Sequence, residues 1–401
     1  VTGPTPERRL RILQIFNRYL EYGGEEGSVL RIGNALREFY DVENFFHSTA
    51  EATGNSLWSK LQIPWKASHN SEVLSKLRHY RNTGRFDLWQ IHNIFPVMSP
   101  VVYERAFEWK IPIVHYLHNY RLSCVNGTFL NHGLPCQRCL SGDFWPAFQT
   151  ACWRDSRLQS GWMGLITHRI RKLPLFEKVF QWIAVSEAVR REHIRMGVPE
   201  SKIRVIHHFL DPEGPVLPAS RSPTAIFVGR LSTEKGVARL LEAWKLIQGG
   251  DRRLLVVGDG PERAGLERQA AGLKGVEFTG FVEKPRQLRF WQEAQFSVVP
   301  SIWLEPFGMI VLESWAHGRP VVAHNIGALP ELIRDGVDGF LARPENPADL
   351  AQKMENLFSH PERAETMGLA GRLSLETRFN RKRWLGEIAE VYRPWRDGLV
   401  I

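Results

Sequence analysis

Short apolar runs alternate with amphipathic, helix-periodic stretches along the whole chain. "RILQIFN", "FDLWQIHN" and "IPIVHYLH" in the first half, and "TAIFVG", "RRLLVVG", "VEFTG", "FSVVPS" and "PVVAHN" in the second, have the length and β-branched content of buried strands. Strands separated by helices imply parallel sheets, because parallel neighbours need a crossover between them. The pattern predicts an α/β protein with two doubly wound, Rossmann-like domains facing across a cleft at the C-terminal ends of their strands. "DPEGPVLPASRSP", 211–223, carries Pro212, Pro215, Pro218 and Pro223 without an apolar period and reads as a linker. The expected domains are therefore 1–210 and 224–380, followed by a last helix within 381–401.

Glycine-rich turns punctuate this pattern where a cleft would need them. "YGGEEGS" follows the first strand, and with a helix starting near Ser28 it lets Gly23 and Gly24 bring backbone N–H groups against a phosphate. "VGRLSTEKG" supplies Gly229 and then Arg230 and Lys235, five residues apart, both able to reach one diphosphate. "VGDGPE", with Gly258, is a further strand-to-helix turn. In "EPFGMIVLE", Pro306 and Gly308 break the chain after Glu305, and a helix then carries Glu313. One acid lies at a helix mouth, whose free N–H groups suit a polar or anionic ligand, and the other on the helix flank. The plainer alternative is a capping acid and a solvated one.

Composition changes this picture little. Hydrophobic residues at 43% and charged residues at 24% are ordinary for a chain long enough for two cores. No run of 18 apolar residues occurs, and "VTGPTPERRLRILQIF" lacks the apolar core of a signal peptide, so a cytoplasmic protein is expected. Charge adds more: the formal +9 falls entirely on 1–210, with zero net charge on 211–401. Within 154–204, Trp162, Leu165, Ile166, Ile170 and Leu173 interleave with Arg169, Arg171 and Lys172, which suggests peripheral docking on an anionic membrane. The alternative is a solvated face of a core helix. No nucleic-acid reading motif is present, so nucleic acid is not expected as a partner.

All four cysteines fall within 29 residues, as C-x11-C-x2-C-x12-C at Cys124, Cys136, Cys139 and Cys152. The spacing fits a tetrahedral, structural zinc site; free thiols and disulfides are the alternatives. Either way 121–155 forms an insertion just after "LHNY", 117–120, and would wall an acceptor site.

Together "GGEE", "LHNY", "VGRLSTEKG", "VGDGP" and "PSIWLEPFGMIVLESWAHGRPVVAHNIGALPELIRDGVDGF" resemble the retaining glycosyltransferases of family 4, which have the GT-B fold. The resemblance spans nearly the whole chain, and the two glutamates with seven residues between them are its most specific element. It implies a donor sugar held by Glu305 and by the backbone at Phe307 and Gly308, with Met309 and Ile310 adjoining. It further implies the donor ribose on Glu313, the diphosphate on Arg230 and Lys235, Gly24 beside that diphosphate, and His118 beside the reacting sugar. The two acids then bind the two ends of a nucleotide sugar, whose vicinal hydroxyls a carboxylate accepts bidentately. Charge developing on the departing diphosphate would be stabilised by the two cations, so no catalytic metal is expected.

A UDP-sugar is favoured over GDP-mannose as donor, with an acceptor glycan or lipid-linked sugar as partner. The last helix is expected to cross back to the first domain. "HHFLDP", 207–212, departs from the turn usual in related sequences, so its contacts are not carried over, and Ser186 in "AVSEAV" is read as a helix cap. The rival functions are a nucleotide-sugar epimerase of the same architecture and a non-catalytic binding module.

Overall fold

A computed structural model of the protein describes residues 9–18, 23–48, 70–218, 220–247 and 250–399. The stretch read for a signal peptide begins outside them. The chain divides into two compact units: 1–132, 136–206 and 385–401 form the first, and 133–135 with 207–384 form the second.

The first unit is built on a six-stranded sheet of β1 (Arg11–Arg18), β2 (Asp41–Ser48), β3 (Leu88–Ile91), β4 (Ile113–Leu117), β5 (Gln181–Ala184) and β6 (Ile203–Val205), in the order β2-β1-β3-β4-β5-β6. Every pairing is parallel. β3, β4 and β5 are buried along their whole length, as strands covered on both faces must be. The second unit repeats the plan with β7 (Thr224–Val228), β8 (Arg253–Val257), β9 (Val276–Gly280), β10 (Phe296–Val299), β11 (Val321–His324) and β12 (Gly339–Ala342), ordered β9-β8-β7-β10-β11-β12. In both units the strand order reverses beside the first strand, the position where doubly wound sheets bind ligands.

Five helices bear on the argument: α1 (Gly24–Leu36), α2 (Arg157–Lys172), α3 (Glu187–Arg195), α4 (Met309–Ala316) and α5 (Arg381–Arg396). α1 begins four residues before the expected Ser28, because Glu25 and Glu26 suit a positive first turn. Ser186 caps α3, its hydroxyl accepting from the Val189 N–H at 3.1 Å. α5 begins in the second unit, and from Leu385 onward it belongs to the first.

The unit boundary lies between Ile206 and His207, not at 210. The expected linker is fastened to the second unit. Buried Arg319 donates to the carbonyls of Leu217 (3.4 Å), Pro218 (2.8 Å) and Trp291 (3.0 Å), supplying donors that a proline-rich stretch lacks.

α2 corrects the expected membrane face. Ile166 and Ile170 point into the core, Arg169 pairs with Glu104 at 2.9 Å, and Arg171 donates to the Leu122 and Met196 carbonyls. Basic and apolar residues interleave there because the helix packs on several neighbours, and its exposed residues are Arg157, Leu158, Gln159, Leu165, His168 and Lys172. Among the described residues no helix is long and apolar enough to cross a membrane.

Candidate functional site

In the second unit the loop after β10 carries Glu305, only 5% exposed. Its carboxylate accepts from Lys235 Nζ at 3.0 and 3.1 Å, from the Ser301 hydroxyl at 2.8 Å and from the Trp303 indole N–H at 2.8 Å. Three of these contacts fall on Oε2 and one on Oε1, which leaves Oε1 able to accept further. Lys235 reaches Glu305 because its turn is pressed onto the loop: the Ile302 N–H donates to the Glu234 carbonyl at 3.0 Å. Gly236 sits at φ +69°, where a Cβ would lie 2.0 Å from the Pro300 carbonyl. No other residue tolerates both the dihedral and the approach. Sequence reasoning placed Lys235 on a diphosphate; here its ammonium lies on Glu305 and 5.2 Å above the Trp303 ring. Ser301 and Trp303 were missed, although both stand within four residues of Glu305 in "PSIWLE".

α4 starts at Met309, with Gly308 as its cap and no side chain capping it. Phe307 is buried against His208, at 5.0 Å between rings, and so fixes the backbone that leads to the Gly308, Met309 and Ile310 amides. Four residues into α4, half-buried Glu313 accepts from Lys284 Nζ at 2.8 Å. Arg230 is exposed on the turn after β7. That turn and the one after β8 are laced together: Gly229 N–H donates to the Val257 carbonyl (3.0 Å) and Leu231 N–H to the Asp259 carbonyl (2.9 Å). A Cβ on Gly258 would lie 1.9 Å from the Gly229 carbonyl, so this glycine is required by turn-to-turn packing.

In the first unit Gly23 and Gly24 form the mouth of α1, with extended backbone at Gly23 and open space where either Cβ would be. Neither packing nor dihedral at Gly23 demands a glycine, which leaves room for a close-lying ligand. Glu25 of the first turn accepts from Asn119 at 3.1 Å, so the "LHNY" loop is tied to α1. Glu26 is buried and paired with Arg18 at 2.7 Å. His118 is buried beside a cavity of about 20 Å³ lined also by His92, Tyr116, Asn119 and Arg121, and burial pulls its pKa down to about 3. Its Nε2 lies 2.7 Å from His92 Nδ1.

All four cysteines line one cavity of about 20 Å³ in the first unit, with no disulfide among them. Burial, and next the neighbouring thiols of Cys124, Cys152 and Cys136, push Cys139 up to about 12; burial and the thiols of Cys124 and Cys136 do the same to Cys152. The four thiols thus converge on one cavity, and burial raises Cys124 as well. Among the described residues no cluster of His, Cys, Asp or Glu is set out as a metal site, so the zinc expectation is not met by this arrangement.

Residues 22–213 match the family profile for Glycosyltransferase Family 4, and residues 222–360 that for Glycosyl transferases group 1. The two matches follow one another across the two parallel-sheet units. The chain has the GT-B fold, and each of its halves matches a glycosyltransferase profile. An uncharacterized glycosyltransferase of Methanocaldococcus jannaschii is 29% identical over 48% of this chain and 54% of its own length. The D-rhamnosyltransferase WbpZ of Pseudomonas aeruginosa is 35% identical over 42% of this chain and 47% of its own. These matches span about half the length of the curated relatives. HepE of Anabaena, solved in complex with UDP and glucose, superposes on this GT-B chain with a TM-score of 0.68, covering 96% of it and 99% of HepE at 19% identity.

Proposed function

We propose that the protein is a retaining glycosyltransferase of family 4 that moves a hexose from a nucleotide sugar, a UDP-sugar first, to a hydroxyl of an acceptor glycan or lipid-linked sugar. The observation that carries this reading is the buried Glu305 carboxylate, preorganised by Ser301 and Trp303 at the entrance to α4 and holding Lys235 in reserve. Glu305 offers a donor sugar an acceptor for its hydroxyls, and the amides of Gly308, Met309 and Ile310 add N–H groups at the helix mouth. A sugar hydroxyl taking the place of Lys235 on Glu305 releases that ammonium to the diphosphate, where it joins Arg230 against the charge of bond breaking. Glu313, drawn from Lys284, takes the ribose. HepE's complex with UDP supports uridine as the base to try first. A panel of UDP- and GDP-sugars, read by nucleoside diphosphate release with wild type and Glu305→Ala, tests the reading: release lost in the variant supports it, and no release from any donor ends it.

We further propose that the four cysteines take one structural zinc ion. Their convergence on a single cavity supports this. A dication would bind the cysteines as thiolates and offset the burial that raises Cys124, Cys139 and Cys152; four thiolates would leave no open position for chemistry.

A further inference from the structure

The first sheet's apolar strands are interrupted by a line of buried amides and imidazoles. Gln14 of β1 and Gln90 of β3 are register partners in parallel strands, so both side chains leave the same face, and His92 follows two residues after Gln90. Gln14 Nε2 donates to the Val29 carbonyl at 3.0 Å, which fixes that end of the amide as its NH2 group. The same nitrogen stands 3.0 Å from His92 Nε2, and so does Gln90 Nε2, whose Oε1 accepts from the Tyr392 hydroxyl. A ring nitrogen facing two amide N–H donors must be the unprotonated one. Neutral His92 then carries its proton on Nδ1, 2.7 Å from His118 Nε2, with the two rings 24° from coplanar. His118 accepts there, and its own proton is left on Nδ1.

We propose that Gln14, Gln90 and His92 form a relay of positioning residues that fixes His118 as a hydrogen-bond donor through Nδ1. The inference rests on the glycosyltransferase reading above and on the resemblance that puts His118 beside the reacting sugar; a ring so fixed would offer that sugar a donor and not a base. The burial that pulls His118 down to about 3 agrees with a neutral ring. Gly33 of α1 belongs to the same device: a Cβ there would lie 2.5 Å from Gln14 Oε1, so glycine makes room for the first amide of the relay.

Nitrogen-15 NMR of ring-labelled histidines in the full chain reads the tautomers directly. The expected spectrum gives His92 and His118 both protonated at Nδ1 and bare at Nε2; either ring protonated at Nε2 in the wild type overturns the proposal. Gln90→Glu replaces a donor with an acceptor, still able to receive the Tyr392 hydroxyl, and should move the His92 proton to Nε2, reverse the His92–His118 bond and lower kcat at least tenfold with donor KM within about threefold. Gly33→Ala, which favours the helix yet displaces Gln14, should lower kcat several-fold without loss of thermal stability. Unchanged ring spectra and unchanged kcat in both variants would refute the relay. His118→Ala retaining transfer would instead refute the sugar contact, and the spectra would still decide the relay.

Discussion

Replacing Lys235 by Met removes the ammonium and leaves Glu305, 5% exposed, with only Ser301 and Trp303 as donors. Breaking a fully buried ion pair from one side costs ~3–5 kcal/mol. Lys235 keeps 29% of its side-chain surface, so solvent screens part of the loss and about 1–3 kcal/mol is expected. At about 2–4 °C per kcal/mol for a unit of this size, the melting temperature should fall by roughly 2–12 °C. The kinetic loss should exceed the stability loss in consequence: removing one preorganised charge at the departing diphosphate costs ~2–4 kcal/mol of transition-state stabilisation, about 30- to 1000-fold in kcat. Adding Glu305→Gln separates the roles. Two neutral residues should recover stability, giving a coupling of about 1–3 kcal/mol in a double-mutant cycle, yet recover no activity. Thermal denaturation and diphosphate release measure the two quantities. If Lys235→Met keeps wild-type melting and kcat/KM within about threefold, the pair is an inconsequential ion pair and the argument from Glu305 fails.

Glu313→Ala should raise the donor KM about tenfold with a smaller change in kcat, since the ribose contact is made equally in ground and transition states; donor-saturation kinetics check this. Protein purified under reducing conditions should contain about one zinc per chain by elemental analysis, and Cys136→Ser with Cys139→Ser should lose it together with thermal stability; four freely titratable thiols in metal-free folded protein would oppose this. Acid should destabilise the first unit. Burial, the largest cause in each case, holds His115 and His118 at about 3 and His193 at about 4, below the unfolded value near 6.5. The folded state binds fewer protons, so this stability is complete above about pH 6.5 and is lost as pH falls toward about 4 for His193 and about 3 for His115 and His118, by up to about 1.4 kcal/mol per pH unit for each imidazole; denaturant titrations at pH 7 and pH 5 should show it.

Most of the architecture was legible as apolar runs, although β5, "QWIA", is buried throughout and was not read. β1, β3, β4 and β7 to β11 announce themselves as apolar runs, whereas β2, "DVENFFHS", is an edge strand of mixed pattern and gave no such signal. Glu305 and Glu313 stood out because Pro306 and Gly308 break the chain between them. The hold of Lys235 on Glu305 depends on Gly236 meeting Pro300, a contact across 64 residues that no local pattern carries. Gln14, Gln90 and His92 are equally mute in sequence, since parallel register alone brings them together. The α2 stretch misled because interleaved charge and apolar surface describes a helix touching several neighbours as well as one lying on lipid.

The most direct test of the central claim is the product itself. Nucleotide sugars and candidate acceptors are incubated with the protein, and the anomeric carbon of whatever forms is followed by NMR. The account predicts an acceptor glycoside with the donor's anomeric configuration, formed in step with nucleoside diphosphate and absent with Glu305→Ala. Free epimerised sugar, or donor that binds and is never cleaved in the presence of any acceptor, would contradict it.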